Sequence, residues 1–356
     1  MNPSPIRVLV VDDSVVVRRL LTTMLESDPE IEVVGVAPNG RVALQRVRQL
    51  RPDAVTLDIE MPELDGLGAL RQLRPEFPTL PIVMFSTLTE KGAEATLDAL
   101  ASGASDYVTK PANVGSVTEA MARVRADLVP KLKALCRRSG RVAPGPTTVA
   151  PPARVTPRAQ RVDLVTVGAS TGGPNALADV LTVLPATLPV PVVVVQHMPP
   201  VFTRLLAERL DAQCEVAVRE ARDGDELEPG HVYIAPGDHH VTVRRRGFVL
   251  VLSTNQEPPV HFCRPSVDVL FRSAAATTGG ATLAVVLTGM GSDGRDGAAD
   301  LKSCGARVIV QDQATSVVWG MPGAVAGAGL ADEVVPLASI GHRIKAHVER
   351  PAWAAS

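Results

Sequence analysis

The sequence has little net charge and few cysteines, and both shortages exclude classes of protein. A formal net charge of −2 over 356 residues lacks the bulk positive charge expected of a nucleic-acid-binding protein. The four cysteines are far apart and form no CxxC pair, so they match neither a zinc site nor a disulfide framework. We therefore expect a protein of a reducing cytoplasm that binds no nucleic acid.

Long hydrophobic runs are also missing. None approaches the roughly 20 residues that a membrane helix needs, and the N-terminus lacks the apolar core of a signal peptide. We expect a soluble chain without membrane insertion. Its 356 residues are enough for two domains that each bury a core.

The first third of the chain alternates short β-branched runs with amphipathic stretches. Strands that alternate with helices of this length predict a parallel sheet covered on both faces. The predicted strands are Val8–Val11, Val33–Val36, Ala54–Leu57, Ile82–Phe85 and Tyr107–Val108. This pattern ends near Leu128 and is followed by a segment rich in proline and small residues, which predicts a linker. We assign residues 1–128 to a first domain and residues 129–160 to the linker.

The alternation resumes at Asp163 and predicts a second α/β domain over residues 161–350. Its predicted strands are Leu164–Val167, Val192–Val195, Leu283–Thr288 and Arg307–Val310. Between them, the segment Val232–Leu252 predicts a β-hairpin with Arg246 and Gly247 at the turn. We therefore expect a doubly wound, mostly parallel sheet with one antiparallel hairpin.

An acidic set lies at predicted strand ends in the first domain. Asp12 and Asp13 follow the first strand, Asp58 the third, Ser86 the fourth and Lys110 the fifth. The carboxyl ends of parallel strands meet at one edge of a sheet, where ligands collect. Three carboxylates crowded there need a cation, and oxygen ligands suit Mg²⁺.

The segments VVDDS, LDIEMPELDG, MFSTLT and DYVTKP resemble the receiver domain of two-component response regulators. The resemblance implies a flavodoxin-like (βα)5 fold with strand order 2-1-3-4-5 and a cis Lys110–Pro111 bond. It also implies that Asp58 accepts a phosphoryl group, that Asp12, Asp13 and Asp58 bind Mg²⁺, and that Lys110 and Ser86 contact the phosphate. Tyr107 occupies the family's aromatic switch position, although a tyrosine packed on a sheet edge is an equally ordinary interpretation.

The segment GASTGG, residues 168–173, allows three interpretations. As a dinucleotide-binding loop it has Ser170 where the second glycine of GxGxxG should stand, and no acidic residue lies near the end of the next strand. As a GxSxG turn between strand and helix it presents the Ser170 hydroxyl near a helix N-terminus, where an oxyanion is stabilised. Ser170 is otherwise an ordinary turn residue.

His197 and Asp293 also leave strand-like runs at the predicted carboxyl edge. His197 follows VVVVQ, and Asp293 lies in the glycine-rich segment LTGMGSDGRDG. Each alone is commonly a capping or packing residue. Together with Ser170 they supply a hydroxyl, a base and an orienting carboxylate. Their chain order differs from that of α/β-hydrolases, so that fold is not implied.

These segments, with RPSVDVLF and SVVWGMP, closely resemble the catalytic domain of chemotaxis protein-glutamate methylesterases. The resemblance implies that Ser170 is the nucleophile, His197 the base and Asp293 the orienting carboxylate. It also implies that the amide of Met290 is an oxyanion donor and that Thr171 supports the histidine. No cofactor is expected for the esterase reaction.

The same resemblance implies a phosphorylation-activated hydrolase that demethylates chemoreceptor glutamate esters and deamidates receptor glutamines. Chemoreceptors are then the protein substrate, a chemotaxis sensor histidine kinase is the phosphodonor, and the receiver forms an intramolecular interface with the catalytic domain. Two alternatives stay open at this point: a scaffold with an unreactive triad, and a receiver fused to a nucleotide-binding module.

Cys263 and His261 lie near Arg264 and suggest thiol catalysis as a weaker hypothesis. No oriented third group accompanies them in the sequence. We therefore expect Cys263 to be a small buried hydrophobic residue.

Overall fold

The computed structural model describes residues 4–110, 116–137 and 161–349. The chain divides into two units, residues 1–139 and residues 140–356. The Lys110–Pro111 bond and residues 138–160 of the predicted linker lie outside the described residues.

The first unit is a five-stranded parallel sheet with the order β2-β1-β3-β4-β5. The predicted fold and strand order are therefore confirmed. Its strands are β1 (Ile6–Val11), β2 (Ile31–Ala37), β3 (Ala54–Asp58), β4 (Ile82–Ser86) and β5 (Asp106–Thr109). Its helices are α1 (Val15–Glu26), α2 (Gly40–Leu50), α3 (Gly66–Glu76), α4 (Glu90–Ala101) and α5 (Val117–Arg137).

Local sequence fixes where these helices begin. Before each of α1 to α4 stands a residue whose side-chain oxygen accepts a hydrogen bond from a backbone amide of the first turn, which satisfies one donor that the helix itself leaves unpaired. These residues are Ser14, Asn39, Asp65 and Thr89. Helix α5 continues through residues 129–137, which we had assigned to the linker, and buries Leu132 completely.

The second unit contains a seven-stranded parallel sheet, order β14-β13-β12-β6-β7-β9-β8, and a separate antiparallel hairpin of β10 and β11. The mostly parallel sheet with a hairpin is confirmed. The strands are β6 (Leu164–Ala169), β7 (Val192–Gln196), β8 (Ala217–Glu220), β9 (His231–Ile234), β10 (His240–Arg246), β11 (Val249–Asn255), β12 (Thr282–Val286), β13 (Arg307–Gln311) and β14 (Glu333–Val335). The helices are α6 (Gly173–Leu181), α7 (Pro200–Asp211), α8 (Val267–Thr277), α9 (Arg295–Ser303), α10 (Met321–Gly327) and α11 (Leu337–Val348).

The hairpin is shorter than predicted and its turn lies one residue later. Val232 belongs to β9, a parallel strand of the main sheet, because proline and glycine at positions 236 and 237 separate it from β10. Arg246 pairs with Val249, so Gly247 and Phe248 form the turn. Gly247 has a φ of 62°, a conformation that glycine adopts without steric cost.

The central strands of the second sheet position the site. Every residue of β6, β7 and β12 is buried, as expected for parallel strands covered on both faces by helices. Their carboxyl ends therefore carry the first residues that can reach solvent. Among the described residues, no helix is both long enough and apolar enough to span a membrane.

Candidate active site

Strand register places Ser170 beside His197. Ala169 of β6 pairs with Gln196 of β7, and each strand ends at that pair. The backbone amide of His197 donates to the carbonyl of Ala169 at 3.2 Å. Neighbouring strands lie about 4.8 Å apart, so the residues that follow this pair emerge side by side.

A tight turn follows Ser170 and directs the chain into α6. The carbonyl of Ser170 accepts from the amide of Gly173 at 2.7 Å and from Nε2 of Gln196 at 3.0 Å. Gly172 has a φ of 76°, and a Cβ at Gly173 would collide with the Gln196 side chain. The glycines thus serve close packing around Ser170 at the N-terminus of α6.

The structure brings His197 and Asp293 together. Nε2 of His197 lies 2.8 Å from Oδ2 of Asp293. Because an ionised carboxylate can only accept, Nε2 carries the proton, and Nδ1 is the nitrogen left to act as the base. Sγ of Cys263 lies 3.5 Å from that Nδ1, and within the described part of the chain no hydrogen bond joins the Ser170 hydroxyl to His197.

The N-terminus of α8 holds Asp293. Its oxygens accept from the amide of Val267 at 2.7 Å, the amide of Asp268 at 3.0 Å and Oγ of Ser266 at 2.8 Å. Backbone amides at a helix start, with the helix dipole, favour negative charge there. Burial alone would raise the pKa of Asp293. The hydrogen bonds from His197 and the backbone amides lower it by a larger amount, so the net pKa lies below its ordinary value.

The same contacts act on the histidine in the opposite direction. Burial lowers the pKa of His197, whereas Asp293 and Cys263 raise it by more, so the net pKa lies above its usual range. The Asp293 carboxylate thus favours the protonated form of His197.

Asp268 is a second buried carboxylate near the His197–Asp293 pair. Its Oδ1 accepts from the amides of Gly294 and Gly297 at 3.0 and 2.7 Å, and its Oδ2 lies 3.0 Å from Nε2 of His261. These bonds fix the loop that carries Asp293. Neither Ser266 nor Asp268 was predicted from the sequence as a site residue. The sequence signal was a serine at the N-cap position and an aspartate in the first turn, a common helix start. In the structure Ser266 makes no capping bond to α8 and donates to Asp293.

The segment after β12 lies along Ser170. The Ser170 amide donates to the carbonyl of Thr288 at 3.0 Å, and a Cβ at Gly289 would come within 2.9 Å of the Ser170 Cβ. Met290 follows directly. Thr171 is buried, and its carbonyl accepts from Oγ1 of Thr288 at 2.9 Å. Met290 and Thr171 are thus both in the immediate surroundings of Ser170.

The acidic set of the first unit also converges. Carboxylate oxygens of Asp12, Asp13 and Asp58 lie within 4.8 Å of one another. Nζ of Lys110 lies 2.8 Å from Oδ1 of Asp58 and 3.2 Å from Oδ2 of Asp12. Burial raises the pKa of Asp58 to about 6, against the opposing effect of Lys110. Its Oδ2 is buried without a hydrogen-bond partner, so this donor set suits an additional cation such as Mg²⁺.

Ser86 and Tyr107 make other contacts in this structure. Oγ of Ser86 donates to the carbonyl of Gly92 at 3.0 Å and accepts from Oγ1 of Thr96 at 2.6 Å, so it is engaged with α4. Tyr107 is buried, with Nζ of Lys131 5.3 Å from the centre of its ring. Burial raises the pKa of Tyr107 well above its ordinary value. Contact of Ser86 with a phosphate therefore requires this hydroxyl to leave α4.

Comparisons with known proteins agree with this arrangement. Residues 165–344 match the CheB methylesterase family, and residues 8–122 match the response regulator receiver domain family. A protein-glutamate methylesterase/protein-glutamine glutaminase of Nocardioides sp. is 57% identical over 353 residues, 97% of this chain and 96% of the relative. A relative of the same name from Trichodesmium erythraeum is 49% identical over 343 residues, 95% of this chain and 97% of the relative.

A solved structure resembles the second unit. The crystal structure of the Thermotoga maritima CheB methylesterase catalytic domain is 43% identical, with a TM-score of 0.51, and the match covers 52% of this chain and 98% of that chain. The family matches, the full-length relatives and this structure agree with one another. The chain therefore belongs to the CheB methylesterase family and carries a response regulator receiver domain ahead of its methylesterase domain.

Proposed function

We propose that this chain is a phosphorylation-activated hydrolase that removes methyl groups from glutamyl methyl esters of chemoreceptors. It acts in the cytoplasm, and it also converts receptor glutamines to glutamate. The observation that carries the proposal is the 2.8 Å contact between Nε2 of His197 and Oδ2 of Asp293. His197 follows β7, and Ser170 follows the neighbouring strand β6. The proposed base and its orienting carboxylate meet at the edge of the sheet where Ser170, the proposed nucleophile, also leaves its strand.

The proposed reaction is acyl transfer through a serine ester. Ser170 Oγ attacks the side-chain carbonyl while its proton passes to Nδ1 of His197, and Asp293 stabilises the imidazolium. Collapse of the tetrahedral intermediate breaks the bond to the methoxy oxygen, which leaves as methanol with the proton from His197. Water then adds to the acyl-enzyme while its proton passes to Nδ1 of His197. Collapse breaks the bond to Ser170 Oγ, which takes that proton back, and the glutamate carboxylate departs. An amide substrate follows the same steps and releases ammonia.

The negative oxygen of the intermediate needs donors that are already in place. The Met290 amide fits this role because the preceding Gly289 packs against Ser170. The N-terminus of α6 adds its dipole from the other side of the turn. Thr171 is proposed to support His197.

The direction of the His197 pKa predicts the pH profile. The base must be neutral, and a raised pKa keeps it protonated to higher pH, so kcat/KM should fall as the pH drops through a value above about 6.5. Replacing Cys263 with alanine removes one contact that raises this pKa and should move the acid limb to lower pH. Rates on a small glutamyl methyl ester from pH 5 to 10 measure the shift, and an acid limb below 6 in the wild type would contradict the assignment.

In the receiver, Asp58 is proposed as the phosphoryl acceptor. Asp12, Asp13 and Asp58 would hold Mg²⁺, which supplies charge neutralisation for phosphoryl transfer when bound. Lys110 pairs with the added negative charge, and Ser86 and Tyr107 respond to it. A chemotaxis sensor histidine kinase is the proposed phosphodonor.

Asp58→Asn tests this regulation. An amide cannot accept the phosphoryl group, so a small phosphodonor with Mg²⁺ should stop stimulating methanol release. In the wild type we expect stimulation of about tenfold to a hundredfold, which requires only about 1.4 to 2.8 kcal/mol of coupling. Asp65→Asn is the control, because asparagine caps α3 as well as aspartate does. Full stimulation of the Asp58→Asn chain would show that another residue is the acceptor.

The direct test of the function measures methanol. Membranes containing methyl-labelled chemoreceptor are incubated with the chain, with and without phosphodonor, and labelled methanol is collected. Labelling of Ser170 by a serine-directed phosphonate would also exclude a scaffold with an unreactive triad. An absence of both signals in folded protein would contradict the proposal.

A further inference from the structure

A two-residue turn beside the active site has an unusual sequence. Val260 and Cys263 pair as an antiparallel bridge, with reciprocal backbone hydrogen bonds of 3.1 and 2.9 Å. The two residues between them, His261 and Phe262, have φ values of 50° and 63°. Turns with positive φ at both central positions favour Asn-Gly, because other side chains are strained there. Strain of this kind is commonly retained at functional sites.

Phe262 is also fully exposed. Its relative exposure is 103%, so the second unit, to which it belongs, covers none of this large apolar side chain. It therefore contributes no packing that would compensate for its backbone conformation. A fold selected for stability alone would place glycine or asparagine here.

Contacts on both sides tie this turn to the catalytic residues. Cys263 directly follows Phe262, and its Sγ lies 3.5 Å from Nδ1 of His197. His261 directly precedes Phe262, and its Nε2 lies 3.0 Å from Oδ2 of Asp268. The exposed phenyl ring thus belongs to a residue directly adjacent in the chain to Cys263, whose sulfur contacts the nitrogen proposed to take the proton of Ser170.

We propose that Phe262 is a docking residue for the protein substrate, and this inference rests on the proposed function. The ring packs against apolar side chains of the polypeptide that carries the glutamyl ester, so that the ester reaches Ser170. A small ester offers no such surface. Phe262 therefore contributes to recognition of the protein and not to the chemistry of the ester.

Phe262→Ala in the full-length chain is the test. Using methyl-labelled receptor membranes, we expect kcat/KM to fall about tenfold, mainly through KM, as is typical when an aromatic anchor is truncated. With the γ-methyl ester of N-acetylglutamate, kcat/KM should stay within twofold of wild type. Phe248→Ala is the matched control, because Phe248 is also fully exposed, at 101%, on the turn between β10 and β11. It should leave both rates unchanged.

A second variant separates docking from stability. Phe262→Gly removes the same side chain but tolerates positive φ, so it should unfold about 2 °C higher than Phe262→Ala. Both variants should lose the same activity on receptor. If Phe262 served only the fold, Phe262→Gly, the more stable variant, should keep more activity on receptor than Phe262→Ala. Equal losses in the two variants therefore support docking.

The outcomes distinguish the two proposals. Wild-type chain that releases no methanol from either substrate contradicts the proposed function. Phe262→Ala with unchanged rates on receptor, or with equal losses on both substrates, contradicts only the docking role. A faster reaction of unphosphorylated Phe262→Ala with the small ester would assign the ring to inhibition by the receiver and overturn the proposal as well.

Discussion

Replacing Ser170 with alanine is expected to lower kcat for methyl-ester hydrolysis by about 10⁶. Alanine removes the only atom proposed to form the acyl bond, and serine hydrolases lose activity on this scale when the nucleophile is deleted. The residual rate then reflects the oxyanion site and substrate binding alone. Single-turnover release of labelled methanol from receptor measures the loss. The variant should also fail to react with a serine-directed phosphonate.

Ser303→Ala provides the control for this experiment. Ser303 is exposed near the end of α9, and its hydroxyl donates to the carbonyl of Asp300 at 2.7 Å. We expect wild-type rates and phosphonate labelling from this variant. A loss below tenfold in Ser170→Ala would show that another group forms the acyl bond, and the mechanism proposed for His197 and Asp293 would then fail with it.

The second large effect is expected from Asp293→Asn, about 10⁴ in kcat. The asparagine amide can donate to Nε2 of His197, which moves the ring proton to Nδ1. That is the nitrogen proposed to accept the proton of Ser170, so the base is held in the wrong tautomer. The asparagine carbonyl can still accept from Ser266 and Asp268, but the amide of Val267 loses its acceptor because it now faces the asparagine NH2 group. We therefore expect only a small displacement of the N-terminus of α8. Hydrolysis rates with a crystal structure of the variant test both statements.

Asp296→Asn is the matched control, because this carboxylate lies in the first turn of α9, only three residues from Asp293. Its Oδ2 is 4.0 Å from Nε2 of His261, and within the described part of the chain it forms no hydrogen bond or ion pair with His197. We expect its rate to stay within about threefold of wild type. Equal losses in the two variants would attribute the effect to local charge and not to orientation of the histidine.

The predicted topology was obtained because parallel strands leave strong local signals. β-branched runs such as Val192–Gln196 are buried on both faces, and each polar residue that follows them lies at the carboxyl edge. The predicted hairpin bounds were wrong because the segments around Val232 and Val241 have similar sequences, HVYI and HVTV, but belong to different sheets. The short edge strands β8 and β14 were not predicted, since four and three residues give too little pattern.

The candidate site was predicted less completely than the fold. The sequence motifs identified Ser170, His197 and Asp293, but the residues that hold Asp293 lie 25 to 27 positions away and meet it only through packing of α8. Cys263 was expected to be a buried hydrophobic residue, whereas its sulfur contacts His197. No local pattern reports a contact between residues 66 positions apart. The functional roles of all the predicted site residues remain predictions: Ser170, His197, Asp293, Met290, Thr171, Asp58, Asp12, Asp13, Lys110, Ser86 and Tyr107.

The attachment of Asp293 to α8 ties turnover to the integrity of one helix end. The same oxygens that steer His197 satisfy the first amides of α8, so fraying of that turn removes the imidazole's counter-charge at once. Heating should therefore abolish hydrolysis at a temperature a few degrees below the onset of unfolding measured by circular dichroism. Molecules in which this turn has frayed would be inactive although otherwise folded, and they would not demethylate receptors indiscriminately.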